Sequence, residues 1–192
     1  TIAQRLYAFF GVVMLALAGG FRLFMHFASL EEQAVEQRNQ IETTTALIRF
    51  DALQMSDALR GLLLDPSSQA ERQRNLAAGE HFTKTIDSLK AAFHDRPEVL
   101  RAAEAIAEFD KTQLNKAETQ IMELLARDSA AANAFYTGSY LPMRRAQDKL
   151  LETFRSLAAN DLTNRIAEAS FKRVVALVLF AAIFASTVIA LL

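Results

Sequence analysis

Apolar residues recur along most of this chain at alternating steps of three and four, the spacing that aligns one face of an α-helix. Ile41, Ile48, Ala52, Met55, Leu59 and Leu62 make the first such stripe. Residues 30–64 contain no proline and, near their end, one glycine, Gly61, so the pattern predicts a single helix running out of the preceding apolar segment to Leu64. Asp65-Pro66-Ser67-Ser68 stops it, and Ser67 or Ser68 is placed to cap the next helix. Gly79, Phe82, Ile86, Leu89 and Phe93 predict a second helix over 69–93. His94-Asp95-Arg96-Pro97 closes that helix, with Asp95 as N-cap of the third and Pro97 near its first position. Leu100, Ala103, Ala107, Asp110, Leu114, Ala117, Ile121 and Leu124 predict the third helix over 97–127. The chain restarts after Asp128, where Gly138 and Pro142 predict a bend or interruption. Beyond them Ala146, Leu150, Phe154 and Leu157 lead into Leu162, Ile166 and Ala169. Four helices joined by short turns predict an all-α fold, an up-down-up-down four-helix bundle.

Both ends of the chain are apolar. Val174 to Leu192 carries no charge and has close to the ~20 residues that cross a bilayer as a helix. Leu6 to Gly20 reaches that length if Arg22 snorkels to the headgroups while Phe21, Leu23, Phe24, Met25 and Phe27 stay near lipid. The expected organisation is a tail and first transmembrane helix over 1–27, a bundle over 28–171 and a second transmembrane helix over 172–192. Ala16-Leu17-Ala18 has the small-x-small form of a signal-peptide cleavage site, but the helical pattern continues past it, which favours an uncleaved anchor. Orientation stays open on charge alone. Arg5 lies on one side of the spans and Arg22, Lys172 and Arg173 on the other, and long loops translocate largely regardless of charge.

Charge and composition narrow the function. All 22 acidic residues lie between Glu31 and Glu168, with 17 of the 21 basic ones, so the predicted bundle is acidic between two greasy ends. A net charge of −1 argues against nucleic acid as a partner. The absence of cysteine excludes a disulfide scaffold, a thiol nucleophile and cysteine-bound metals. There is no Gly-rich phosphate loop, Gly-x-Ser-x-Gly elbow or His-Glu-x-x-His. None of the 3 histidines, His26, His81 and His94, has an acid or second histidine at ligand spacing. The expectation is a protein that is not an enzyme and uses no metal or cofactor.

A tail ending in Gln4-Arg5-Leu6, a span, four helices and a second span resemble the sensory half of bacterial methyl-accepting chemotaxis proteins. Leu59-Arg60-Gly61-Leu62-Leu63-Leu64-Asp65 is similar to the end of the first bundle helix in that family. Asp128-Ser129-Ala130-Ala131-Ala132, followed by Tyr136, Tyr140 and Pro142, is similar to the start of its fourth. Sensor histidine kinases and membrane-bound cyclic-dinucleotide enzymes carry the same module. The resemblance implies a homodimeric receptor in the inner membrane, with a periplasmic bundle whose second span signals to cytoplasmic proteins through an output region that this sequence does not contain. A structural or accessory membrane subunit, its bundle packed on a larger complex, is the alternative.

An up-down topology gathers Arg60, Arg72, Arg74, Arg127, Arg144 and Arg145 at one pole. Guanidinium forks pair bidentately with carboxylates, and Tyr140 and Thr137 can add hydroxyl donors. Receptors of this family that bind amino acids use arginines of the first helix and hydroxyl or backbone groups of the fourth. The resemblance therefore implies a small anionic ligand at Arg60, Tyr140, Arg144 and Arg145. Asp57, Asp65, Glu71, Glu80, Glu123, Asp128 and Asp148 share the pole, and solvated surface pairs are the plainer reading of the same arginines. Asp110 breaks an apolar seam: either it sits at the rim of a slightly rotated helix, or it is buried with Arg49 or Lys111 as partner, or it marks where ligand or water enters, or it specifies register. Thr43-Thr44-Thr45 reads as a low-propensity stretch of helix. Gly11, Ala16, Gly19 and Gly20, with Ala181, Ala182, Ala185 and Ser186, form small-residue faces suited to close packing of the spans.

Overall fold

The computed structural model describes residues 2–189, apart from the side chains of 2–6, 8, 31, 187 and 188. The side chain of Arg5 and the last residues of the expected second span, 190–192, lie outside them. Every element among the described residues is helical: α1 (Ile2–Leu64), α2 (Gln69–Ala92), α3 (Pro97–Phe109), α4 (Asn115–Leu125), α5 (Ser129–Phe135) and α6 (Leu141–Ile189). Two π-helical turns, Asp110–Leu114 and Tyr136–Tyr140, join α3 to α4 and α5 to α6 without a break. The fold is all-α, in four helical rods separated by three short connections.

The chain divides into two compact units, 1–39 with 160–192, and 40–159. In the first, Gly20 lies against Phe180, so close that a Cβ at Gly20 would come within 2.9 Å of the ring. Leu23, Phe24, Phe27, Ala176 and Leu177 line the same contact. Of the expected small-residue faces, Gly20 makes it. Gly11 and Gly19 meet nothing within 4 Å, and Ala181, Ala182, Ala185 and Ser186 are exposed. A flat ring on one glycine takes the place of two interlocking stripes. The two long helices each contain a stretch long and apolar enough to cross a membrane, with mean hydropathy 1.6 and 1.8 and none of either stretch buried.

The second unit is punctuated largely as the sequence predicts. Ser68 caps α2, its hydroxyl accepting from the Glu71 amide at 3.4 Å, and Asp128 caps α5, accepting from the Ala131 amide at 3.0 Å. At α3 the expectation fails by one residue: Arg96, not Asp95, is the N-cap. Its side chain is buried, with the guanidinium 5.0 Å above the Phe93 ring, while Pro97 supplies the preset φ of the first turn. Phe93 in turn packs edge-on against Phe154 at 5.7 Å. The expected interruption at Gly138 and Pro142 is a π turn: the Leu141 amide bonds back five residues to Tyr136. Proline has no N–H to offer Gly138 and its ring crowds that carbonyl, so a wider turn carries the helix past it.

Along the first two rods the predicted stripes are the buried ones, Ile41, Ile48, Met55, Leu59 and Leu62, then Phe82, Ile86, Leu89 and Phe93, but on α3 and α6 the buried stripe differs in phase from the predicted one. On α6 they run through Arg144, Gln147, Leu151, Phe154, Ala158 and Leu162, while Ala146, Leu150 and Leu157 are only half-buried. On α3 and α4, Val99, Ala103 and Ile106 are buried before the π turn and Leu114, Ala117 and Ile121 after it, in place of Leu100 and Ala107. The π turn carries one extra residue, and that residue shifts the inward face. Thr45, one of the three threonines of the low-propensity stretch, is buried on α1 with Ile41 and Ile48.

Gly79, in the middle of α2, lies opposite Met55 with room for a methyl group, since its Cβ would meet the Met55 sulfur at an ordinary 3.7 Å. Gly79→Ala is expected to raise the unfolding free energy by about 0.5–1 kcal/mol, because alanine loses less backbone freedom on folding. Gly61→Ala is expected to gain less or to lose, because its Cβ would come within 2.7 Å of the Glu71 side chain. Denaturant titrations of the two variants beside the parent protein check the order.

Candidate functional site

One cluster of buried and mostly buried polar side chains, Tyr140, Gln147, Asp110 and Glu118, converges on a single guanidinium. Arg144 is 9% exposed. Its Nη2 reaches Glu118 Oε1 at 2.7 Å and the Met55 sulfur at 3.5 Å. Its Nη1 donates to Gln147 Oε1 at 2.8 Å and stands 3.8 Å from Asp110 Oδ1, while its Nε donates to the Tyr140 hydroxyl at 2.7 Å. Tyr140 donates in turn to Glu118 Oε1 at 2.8 Å, and Gln147 donates through Nε2 to Asp110 Oδ1 at 3.1 Å. Both π turns feed this network: Asp110 is the first residue of one and Tyr140 the last of the other. Around it pack Leu59, Leu62, Leu114, Ala117, Ile121 and Tyr136.

Burial governs the titration of its members. The Asp110 carboxyl is raised above its ordinary value, chiefly because burial penalises its charge, with Arg144 and the Gln147 hydrogen bond pulling the other way. Tyr140 is raised by burial too, well beyond neutral pH, so its hydroxyl stays a donor. The two acidic side chains share one guanidinium.

Asp110 is therefore not a rim residue, and its partners are Arg144 and Gln147 rather than Arg49 or Lys111. Arg49 is engaged on the surface with Asp148 at 2.8 Å and Glu152 at 2.9 Å. A second exposed cation, Arg155, reaches Glu42 at 2.9 Å and Glu152 at 3.3 Å, so these charges form a ladder between α1 and α6.

Two open grooves flank the buried network. One, of about 770 Å³ between α1 and α6, is lined by Ser56, Arg60, Tyr136, Arg144 and Arg145 among others. The other, of about 780 Å³, lies between α1, α2 and the α3–α4 rod, with Asp110 and Glu118 in its wall. Arg60, Arg144 and Arg145 thus meet at one groove, where Tyr136, not Tyr140, lines the wall. Tyr140 is wholly buried, and the Thr137 hydroxyl is spent on the carbonyls of Asn133 and Ala134 at 2.9 and 3.2 Å. Among the described residues, Arg60 and Arg145 have no ion-pair or hydrogen-bond partner, so they are the two arginines at this groove left to meet something else. Arg72 folds onto the Pro66 carbonyl at 2.8 Å, and Arg74 onto Asp57 and Glu71 at 3.9 and 3.5 Å.

One further pair joins residues that local sequence reading leaves apart. His81 Nδ1 lies 2.6 Å from the buried Asp51 Oδ2. The two stand thirty positions apart, on facing helices, so no motif spacing records them. The burial of Asp51 on an otherwise apolar face is the only trace. Among the described residues no group of three or more metal-binding side chains forms. No protein-family model matches the chain, and no curated protein or solved structure matches it either.

Arg144→Ala is expected to cost about 3–5 kcal/mol, since it strands two carboxylates away from their counter-charge. Asp110→Asn placed on top of it should recover part of that loss. Alone, Asp110→Asn keeps an oxygen for Gln147 and removes the penalised charge. Because the folded state holds the Asp110 proton more tightly than the unfolded chain, this group favours folding at acid pH and loses that contribution as pH rises through its folded value. Relative to the parent, the variant is thus expected to gain stability between about pH 4 and 7, the two converging below the ordinary carboxylate range. Thermal melts across that range check the sign.

Proposed function

We propose that the chain is a transmembrane sensor module of the chemoreceptor type, an up-down-up-down four-helix bundle carried by two membrane-spanning helices. In this reading the bundle lies in the periplasm of a bacterium and detects a small anionic molecule or a binding protein. It passes the signal inward through the second span to a cytoplasmic output. The observation that supports it most is the continuity of α6. One helix, Leu141–Ile189, carries Arg144 and Arg145 at its start and the uncharged apolar stretch at its end. Whatever changes the seating of the first turns bears on the same rod that enters the lipid.

The groove between α1 and α6 is the ligand site of this reading. It presents Arg60 and Arg145 over an apolar wall of Ile48, Leu53 and Leu141, which suits an anion with an apolar body. Tyr140 and Arg144 act behind it, holding the wall rather than touching the ligand. A dimer is supported by Leu47, Phe50 and Leu53, which recur on one side of α1 and are 41%, 56% and 67% exposed. The same residues would serve an accessory subunit packed on a larger complex.

Titration of the full chain in lipid nanodiscs with amino acids and dicarboxylates tests the ligand. Saturable binding is expected, weakened about tenfold or more by Arg60→Ala with Arg145→Ala, the range for losing charge-assisted hydrogen bonds. No binding by any acid removes the anion site. Oxidation of Phe50→Cys is expected to give a disulfide-linked pair of chains. A chain that stays single under oxidation favours the accessory-subunit reading.

A further inference from the structure

The π turn at 136–140 runs up to Pro142, but the one at 110–114 has no breaker of its own. Residues 98–137 contain neither glycine nor proline, yet the Asn115 amide bonds past Lys111 to the Asp110 carbonyl. Before this turn Val99, Ala103 and Ile106 are buried, and after it Leu114, Ala117 and Ile121, with the Glu118 side chain beside them at 14% exposure. A second stripe crosses the same stretch without a break. Leu100, Ala103, Ala107, Asp110, Leu114, Ala117, Ile121 and Leu124 alternate steps of three and four, the seam of an uninterrupted α-helix. Leu100, Ala107 and Leu124 are half-buried, at the edge of the core. The wound form gives up that seam and gains Val99, Ile106 and the bond from Arg144 Nη2 to Glu118 Oε1 at 2.7 Å. A straight rod centres its seam on Ala117 and turns Glu118 toward the edge, away from Arg144.

We infer that the α3–α4 rod is a two-register element latched by the Arg144–Glu118 pair. With the pair closed, the extra residue is held in the π turn. With the pair open, the rod straightens and its two halves turn against one another by about 100°, the angle of one residue. Val99 and Ile106 then leave the core and Leu100 and Ala107 enter it, while Ala103 and Ile121, which belong to both faces, stay inward. Because α2 packs along α3, the turning reaches a neighbouring helix. Arg144 also lies in the wall of the groove between α1 and α6, which puts the latch beside whatever that groove holds. The two registers themselves do not depend on a ligand there.

Thiol labelling of the full chain in nanodiscs tests the latch, and the absence of native cysteine makes each introduced thiol readable by itself. Arg144→Met with Glu118→Gln replaces both partners of the pair at once. In that background Val99→Cys is expected to label about tenfold faster or more, Leu100→Cys correspondingly slower, and Ala103→Cys and Ile121→Cys at unchanged rates. Deleting Thr112 takes out the extra residue and leaves a single register, so in the shortened chain removal of the pair should no longer expose Val99→Cys. Equal protection of Val99→Cys with and without the pair overturns the inference. Labelling of Ala103→Cys in step with Val99→Cys overturns it too, since that is the mark of α3 unfolding rather than turning, and this comparison decides even where the shortened chain does not fold. An undiminished response in a folded shortened chain has the same consequence.

Discussion

The bundle is organised around the burial of a guanidinium. Removing Arg144 from water costs several kcal/mol unless its donors and charge are met, and they are met from every side. Glu118 and Asp110 come from the α3–α4 rod, Tyr140 and Gln147 from its own rod, and the Met55 sulfur from α1. Apolar seams tolerate a modest rotation of one helix against another, because one methyl group replaces another at similar cost. A hydrogen-bonded charge does not tolerate it. The network fixes the rotational phase of three helices, and the leucines and phenylalanines then pack in the only arrangement that phase allows.

The order of the helices and their punctuation were legible in the sequence. Caps, turn residues and breakers act locally, and Ser68, Pro97 and Asp128 sit where local rules place them. Which residues face inward was legible only in part. A search for apolar periodicity passes over Arg144, Gln147, Asp51 and Thr45, and these are buried. Leaving them out rotates the apparent face of α6 by one position. Along the third rod, the stripe drawn from the apolar pattern fits the half after the π turn, at Leu114, Ala117 and Ile121, but before it the buried residues are Val99 and Ile106 rather than Leu100 and Ala107. Asp110 stood out as the one acid in an apolar seam, but its partners lie 34 and 37 positions away, beyond the reach of spacing arguments. For the same reason Arg144 and Tyr140 read as surface donors beside Arg60 and Arg145. Nothing in their local sequence marks two of the four as internal.

Helices α1 and α6 are joined by two kinds of electrostatics that differ in how they answer to the medium. The ladder of Glu42, Arg155, Glu152, Arg49 and Asp148 lies in solvent, where each pair contributes little and salt screens it. The Arg144 network is mostly buried, where salt screens it much less. The outer contacts are therefore adjustable, and the inner one holds the register while they change.

The two π turns bear on how the chain can vary in length. Each is an α-helix with one residue too many, held in place by the packing on either side of it. Deleting a single residue from 136–140 would return that stretch to ordinary α-helix and leave the face beyond it nearly where it is, whereas deleting one from the α-helical turn that follows would rotate everything after it by about 100°, the rotation of one residue. Gln147, Leu151 and Phe154 would then point away from the partners they now bury against. Helices are usually thought to be forgiving of sequence and strict about loops. Here the strict count of residues lies inside the rods.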